Sequence, residues 1–144
     1  MSSEVKWFYV TQVVLESAGA SAASNIFVAA DDTSLASANH SNFPLADLVL
    51  KCDFGAAPAA GGTVNIYRQD LDIDGTSDAP APASTFANIL VGVVGIPAST
   101  SAYYPIPNVP LSSACQFSIE NKTSQNMSSG WTLKATPKTY VPGT

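Results

Sequence analysis

The carboxylates most able to bind a metal lie within one short segment. They are Asp70, Asp72, Asp74 and Asp78. Counted from the first of them, they occupy the first, third, fifth and ninth positions of a calcium-binding loop, and a glycine follows the third. The twelfth position, where a bidentate glutamate belongs, is Ala81. We therefore expect a hairpin connection and no bound metal, and calcium held by these four carboxylates is the alternative.

Residues for the common catalytic sites are sparse. The one histidine, His40, lies in a polar stretch, and no serine lies in a Gly-x-Ser-x-Gly elbow. Glycoside hydrolysis needs two facing carboxylates, which would have to come from the pair Asp31 and Asp32 and from the 70–78 segment. Most acids fall in turn-like stretches, where a solvated charge is the ordinary outcome. We expect no enzymatic activity and no cofactor.

Charge and the lengths of the apolar runs argue against two classes of partner. The chain of 144 residues has a formal net charge of -5, and its six Lys and Arg residues are too scattered to follow a nucleic-acid backbone. No apolar run approaches the roughly 18 residues that cross a bilayer as a helix. The first residues show no apolar leader, which predicts folding in a cytoplasm. We expect neither nucleic acid nor a membrane as partner.

The elements that must position these residues are strands. Leu48, Leu50, Cys52 and Phe54 share one face of an alternating segment. The other face holds Val49, Lys51 and Asp53, and such alternation is typical of a half-buried strand. Ten prolines and several Gly-rich turns interrupt any long helix. The predicted strands are 5–15, 26–30, 48–54, 63–69, 86–94, 103–109, 115–120 and 131–136.

About eight strands at these spacings predict an all-β protein, an antiparallel β-sandwich that is jelly-roll-like or immunoglobulin-like. Residues 1–144 fit one domain, with possible extended arms at 1–6 and 137–144. Cys52 and Cys115 each share the apolar positions of an alternating segment, so we expect two buried core residues. A disulfide between them is an alternative that needs an oxidising compartment.

A longer pattern begins at residue 59. A Gly-Gly-Thr-Val stretch leads into the Asp-Gly-Thr turn, and later segments contain Val-Pro-Leu and Ser-Gly-Trp-Thr-Leu. The segments are 59–68, 74–76, 78–82, 106–111, 117–125 and 128–134. Together they resemble small β-sandwich structural proteins encoded among the virion genes of tailed bacteriophages. Ser124 departs from that pattern, which has glycine there.

The resemblance implies a non-enzymatic virion protein, a decoration or cement subunit bound to the outer surface of the major capsid shell. It implies the major capsid protein as partner, self-association into a small symmetric oligomer, and assembly in the host bacterial cytoplasm. The aromatic residues expected to make these contacts are Trp7, Tyr9, Tyr103, Tyr104 and Tyr140. The alternative is a tail, baseplate or fibre component that binds host glycan, for which the Tyr103–Tyr104 step offers rings to stack on a sugar.

Overall fold

A computed structural model describes residues 6–31, 43–86 and 89–141. In these ranges the regular structure consists of nine β-strands and no helix. The strands are β1 (Lys6–Tyr9), β2 (Val13–Gly19), β3 (Phe27–Ala29), β4 (Leu45–Asp53), β5 (Thr63–Asp70), β6 (Ile89–Gly95), β7 (Ser101–Pro110), β8 (Cys115–Lys122) and β9 (Trp131–Val141). None of the described residues forms a helix able to span a membrane. The prediction of an all-β fold is confirmed.

The strands form two antiparallel sheets. The first has the order β1-β9-β4-β7, with β2 also paired to β9, and the second has the order β3-β8-β5-β6. The pairs β2 with β9, β3 with β8, β4 with β7 and β5 with β6 are nested, as in one long hairpin that has been rolled up. This nesting of eight strands, four from each sheet, is the topology of a jelly roll, and β1 is a fifth strand of the first sheet. Of the two sandwich types expected, the chain adopts the jelly roll.

One predicted strand, 5–15, is two strands. β1 and β2 both pair with β9, but the residues between them leave the ladder, apart from the Val10 N–H, which donates to the Pro137 carbonyl at 3.1 Å. The described residues therefore form nine strands, where the sequence pattern predicts about eight. Parts of both predicted arms lie in the sheet. Lys6 of β1, the last residue of the predicted arm 1–6, pairs with Val141. Residues 137–141 of the predicted arm 137–144 form the end of β9. Residues 1–5 and 142–144 lie outside the described residues.

The core lies between the two sheets, where alternation places the apolar side of each strand. In β4, Ala46, Leu48, Leu50 and Cys52 are buried while the residues between them are half-buried. The largest fully buried side chain is Trp131, whose indole N–H donates to the Ala20 carbonyl at 2.9 Å. Its ring lies so close to Gly19 that a β-carbon there would collide with it. Glycine is therefore required at position 19.

Both cysteines are buried in the core and neither forms a disulfide. Cys52 lies near the end of β4, and Cys115 begins β8 in the opposite sheet. Burial, together with the neighbouring Asp53 carboxylate, raises the pKa of the Cys52 thiol to about 12, and burial also raises the pKa of Cys115. The thiols therefore stay protonated in the folded protein at neutral pH, so neither is an activated nucleophile.

Candidate docking surface

Three of the five aromatic residues expected to make contacts meet at one end of the first sheet. Trp7 and Tyr9 lie on the same face of β1, because alternate residues of a strand share a face. Tyr140 of β9 is directly opposite Trp7 in the ladder, and their rings stack with centroids 3.9 Å apart at an interplanar angle of 30°. We call Trp7, Tyr9 and Tyr140 the aromatic cluster.

A buried lysine holds the aromatic cluster in place. Lys138 of β9 is directly opposite Tyr9, and its ammonium lies 4.4 Å from the centre of the Trp7 ring and 5.8 Å from that of Tyr9. The same Nζ donates to the side-chain oxygen of Asn108 at 2.6 Å and forms an ion pair with Asp47 Oδ1 at 2.7 Å. The ammonium is thus neutralised, hydrogen-bonded and covered by a ring, as a buried cation requires.

Asn108 completes this arrangement from β7. Its φ of 58° lies in the left-handed region, which asparagine tolerates better than most residues. In this conformation its backbone N–H donates to Asp47 Oδ1 at 2.9 Å while its side-chain oxygen accepts from Lys138. Contacts from β1, β4 and β7 therefore converge on this one lysine of β9, which fixes the positions of the rings above it.

The cluster exposes aromatic surface from a rigid base. Tyr9 and Tyr140 are each about half exposed. Phe8 is also half exposed, and it points to the other side of β1, where it stacks against Phe43 with ring centroids 6.4 Å apart. Rigid rings with an apolar body and a polar end are the side chains that most often anchor protein contacts. This arrangement is suited to binding rather than to moving a proton or an electron pair.

The other two predicted contact residues lie elsewhere. Tyr103 is 70% exposed and is paired with Lys51 on the face of the first sheet that points away from the core, but at the far end of that face from the cluster. Tyr104 points the other way and packs against the core. Burial, together with the nearby Cys52, raises the pKa of its phenol. The structure therefore does not bring Tyr103 or Tyr104 to the aromatic cluster.

Three of the four carboxylates of the 70–78 segment, those of Asp70, Asp74 and Asp78, have partners from the protein itself. Asp70 forms an ion pair with Arg68 at 2.8 Å, and Arg68 Nη1 also donates to the Pro110 carbonyl of the first sheet at 2.6 Å. Asp78 Oδ1 accepts from the Asp72 N–H at 3.1 Å. The contact of Arg68 with Pro110 links the two sheets, and the hydrogen bond between Asp72 and Asp78 closes the loop.

Asp74 makes the turn of this loop. Its carboxylate accepts hydrogen bonds from the backbone N–H groups of Thr76 and Ser77, at 3.0 and 2.6 Å, and from both hydroxyls. These bonds lower the pKa of Asp74 to about 2. Within the described ranges, no three His, Cys, Asp or Glu side chains are placed to hold a metal ion. The geometry is that of the expected hairpin connection, with a turn capped by Asp74.

The second sheet contains a polar group of residues that the sequence pattern did not single out. Glu120 of β8 is buried although alternation turns it away from the core. Its Oε2 accepts from the Tyr67 hydroxyl at 2.7 Å and from Asn65 Nδ2 at 3.4 Å, and its Oε1 pairs with Lys122 Nζ at 3.1 Å. The Phe27 ring lies 5.5 Å from that of Tyr67. These groups satisfy one another, so they stabilise the register of the sheet.

Two signals for these sites were present in the sequence. Lys138 alternates with apolar residues in the run that continues from Trp131, and Glu120 lies on the same strand face as Ser118. Neither position reveals its partners, because those partners come from distant parts of the chain. His40, the histidine considered for catalysis, lies outside the described residues.

In comparisons with known proteins, no protein-family model matches the chain, and no curated protein matches it. The fold and the aromatic cluster are therefore interpreted from the structure itself.

Proposed function

We propose that this chain is a non-enzymatic structural protein of a virion, a decoration or cement subunit bound to the outer surface of the major capsid shell. The observation that carries the proposal is the aromatic cluster, held rigid by Lys138 on a face that points away from the core. Jelly rolls are common among viral capsid and lectin domains, and a fold alone does not decide function. The bacteriophage-like pattern from residue 59 onward supports the capsid choice.

The proposed mechanism is adhesion. Tyr9 and Tyr140 insert their exposed halves between neighbouring capsomers, and the ion pair beneath them keeps the rings from rearranging. Because rigid aromatic anchors lose little entropy on binding, a small number of them supplies most of the affinity. Many copies on one shell, or a small symmetric oligomer, multiply each weak contact through effective concentration. A net charge of -5 suits a protein outside a DNA-filled shell.

The first test is the number of copies in the particle. Virions that carry the gene for this chain are purified, and the ratio of this protein to the major capsid protein is measured by quantitative mass spectrometry. A copy number comparable to the number of capsomers supports the decoration role. Absence from the virion, or binding of the purified protein only to shells that have not yet expanded, would overturn it.

The second test locates the contact. The double variant Tyr9→Ser/Tyr140→Ser is mixed with expanded shells and sedimented beside the unaltered protein. Loss of two hot-spot side chains is expected to cost about 2 kcal/mol or more, a weakening of roughly thirtyfold. Tyr103→Ser is the matched control, because Tyr103 is an exposed tyrosine at the far end of the same sheet face. Equal binding by both variants would contradict docking through the aromatic cluster.

A second candidate function is glycan binding by a tail, baseplate or fibre component. The observation that favours it is the proximity of exposed rings to hydrogen-bonding groups, since Asn108 and Asp47 lie beside the cluster. Sugars bind through stacking on rings together with such polar contacts. A low copy number per virion, together with saturable binding of host surface polysaccharide that Tyr9→Ser weakens, would favour this candidate over the first.

A further inference from the structure

One long segment of the chain contains no charged residue. From Ala79 to Ile119 there is no Asp, Glu, Lys or Arg, although the whole protein has a net charge of -5. This segment includes β6 and β7, the edge strands of the second and the first sheet, which also contact each other. One side of the sandwich is therefore closed by two strands that contribute no charge of their own.

β6 differs from the other edge strands in the described part of the chain. β3 is three residues long, β7 contains Pro105, Pro107 and Pro110, and the β1–β2 edge is interrupted and contains Lys6 and Glu16. Short length, proline, breaks in the ladder and charge are the devices that keep an edge from pairing with another chain. β6 has a register shift near Val91, but its seven residues include neither a proline nor a charge.

The exposed side chains of β6 are apolar. Leu90 is 49% exposed and Val93 is 57% exposed, while Val94 is buried and Gly92 lies against Ile106 of β7. β5 occupies one edge of β6, and among the described residues no strand is paired with the other edge. Residues 90–95 of the strand therefore offer backbone hydrogen-bonding groups beside exposed apolar side chains, which is the surface that an added strand requires.

We propose that β6 pairs with β6 of a second copy, antiparallel and around a twofold axis, so that two four-stranded sheets become one of eight strands. The charge distribution points to a second copy as the occupant. Two molecules of charge -5 repel each other, and on the β6 side they meet without bringing charges of β6 or β7 together. A twofold contact uses the same strand on both molecules, so it closes after two copies. This inference names the surface for the self-association in the proposed function and rests on it.

Sedimentation equilibrium of the full chain, from low micromolar concentration upward, tests the dimer. Because the contact is one edge strand, we expect a reversible dimer whose fraction rises with concentration. Leu90→Lys/Val93→Lys places like charges near the twofold axis and is expected to raise the dissociation constant at least about tenfold. Ile73→Lys is the matched control, because Ile73 is 63% exposed but lies outside β6, and it should dimerise like the unaltered protein.

Hydrogen exchange of the unaltered protein gives an independent reading if the lysine variants fold poorly. Amides of residues 90–95 should exchange more slowly at high than at low concentration, while those of β3 should not change. A protein that stays monomeric, or lysine variants that dimerise as strongly as Ile73→Lys, would overturn the β6 contact. A monomer that still decorates shells would leave the capsid proposal standing, whereas a β6 dimer that is absent from virions would overturn only the capsid proposal.

Discussion

Lys138 in the first sheet and Glu120 in the second are both buried on the face that points away from the core, and the two are stabilised differently. Glu120 in the second sheet takes its partners from its own strand and from β5, where Asn65 is its direct neighbour in the ladder. Lys138 in the first sheet takes its partners from β1, β4 and β7. One is a local ladder network, and the other is a junction of several strands.

The difference shows what each site can do. The groups around Glu120 satisfy one another and leave little ring surface exposed, since Tyr67 is itself buried. The rings above Lys138 remain half exposed. A buried charge can thus serve the register of a sheet, or it can hold a contact surface in position, depending on whether its covering rings face solvent.

The largest expected effect comes from removing the lysine. Lys138→Ala removes the buried cation that Asp47 and Asn108 share. Because the Asp47 side chain is itself about a third exposed, the expected cost is about 3 kcal/mol of unfolding free energy, the lower end of the range for a buried pair. Chemical denaturation followed by tryptophan fluorescence measures the loss. Lys134→Ala, on the same face of β9 but without an ion pair to Asp47, should stay within about 0.5 kcal/mol of the unaltered protein. A loss below about 1 kcal/mol for Lys138→Ala would mean that the pair behaves as an ordinary surface ion pair.

A smaller effect is expected on the Glu120 side. Tyr67→Phe removes a hydrogen bond to a buried carboxylate, which is worth about 1.5–3 kcal/mol. Burial, and then the hydrogen bond to Glu120, raise the pKa of Tyr67 above its ordinary value of 10.0. Above that pH the unfolded chain releases a proton that the folded protein retains, so this stabilisation falls as pH rises through the folded pKa.

The measurement for Tyr67 is therefore the difference in unfolding free energy between the unaltered protein and Tyr67→Phe, by urea denaturation at neutral pH and at a pH above 10. The difference should shrink at the higher pH. Tyr104 also has a raised pKa, but it is present in both proteins and cancels. A difference that grows with pH would contradict the assigned hydrogen bond.

Ring stacking in the aromatic cluster is expected to contribute less. A double-mutant cycle with Trp7→Leu and Tyr140→Leu should give a coupling energy of about 0.5–1.5 kcal/mol beyond simple burial. The control cycle pairs Tyr140→Leu with Tyr103→Leu, which lies at the far end of the sheet face, and its coupling should vanish within about 0.5 kcal/mol. Equal couplings in the two cycles would show that the cluster is not a unit.

The smallest expected effect is a local one at Asp74 in the 70–78 loop, whose carboxylate is exposed rather than buried. Hydrogen bonds from Thr76 and Ser77 hold the pKa of Asp74 at about 2, below its ordinary value of 3.8. The ionised carboxylate and these bonds therefore persist below pH 3.8 and are lost as pH falls through about 2. The amide NMR signals of Thr76 and Ser77 should therefore shift with a midpoint near pH 2. In Asp74→Asn this titration should disappear, and a midpoint near the ordinary value of 3.8 would show that the turn is not capped in solution.

Much of the fold could be predicted because the alternation of buried and exposed side chains along a strand is a property of neighbouring residues. The alternation predicts that Leu48, Leu50 and Cys52 share one buried face, and all three are buried. The residues of the candidate site could be predicted less well from the sequence. Tyr103 and Tyr104 are neighbours in the chain, yet one is exposed and the other packs against the core, because consecutive residues of a strand face opposite ways and only the sheet decides which way is inside.

The sequence by itself determined which segments extend and where they turn, since the period of two and the positions of proline and glycine are properties of neighbouring residues. It determined the absence of charge from residues 79 to 119 in the same way. Only the tertiary structure decided that 137–141 completes a sheet, that Lys138 meets Asp47 and Trp7, and that β6 forms an edge. These outcomes depend on strand order, and strand order follows from burying both sheets at once rather than from any local pattern.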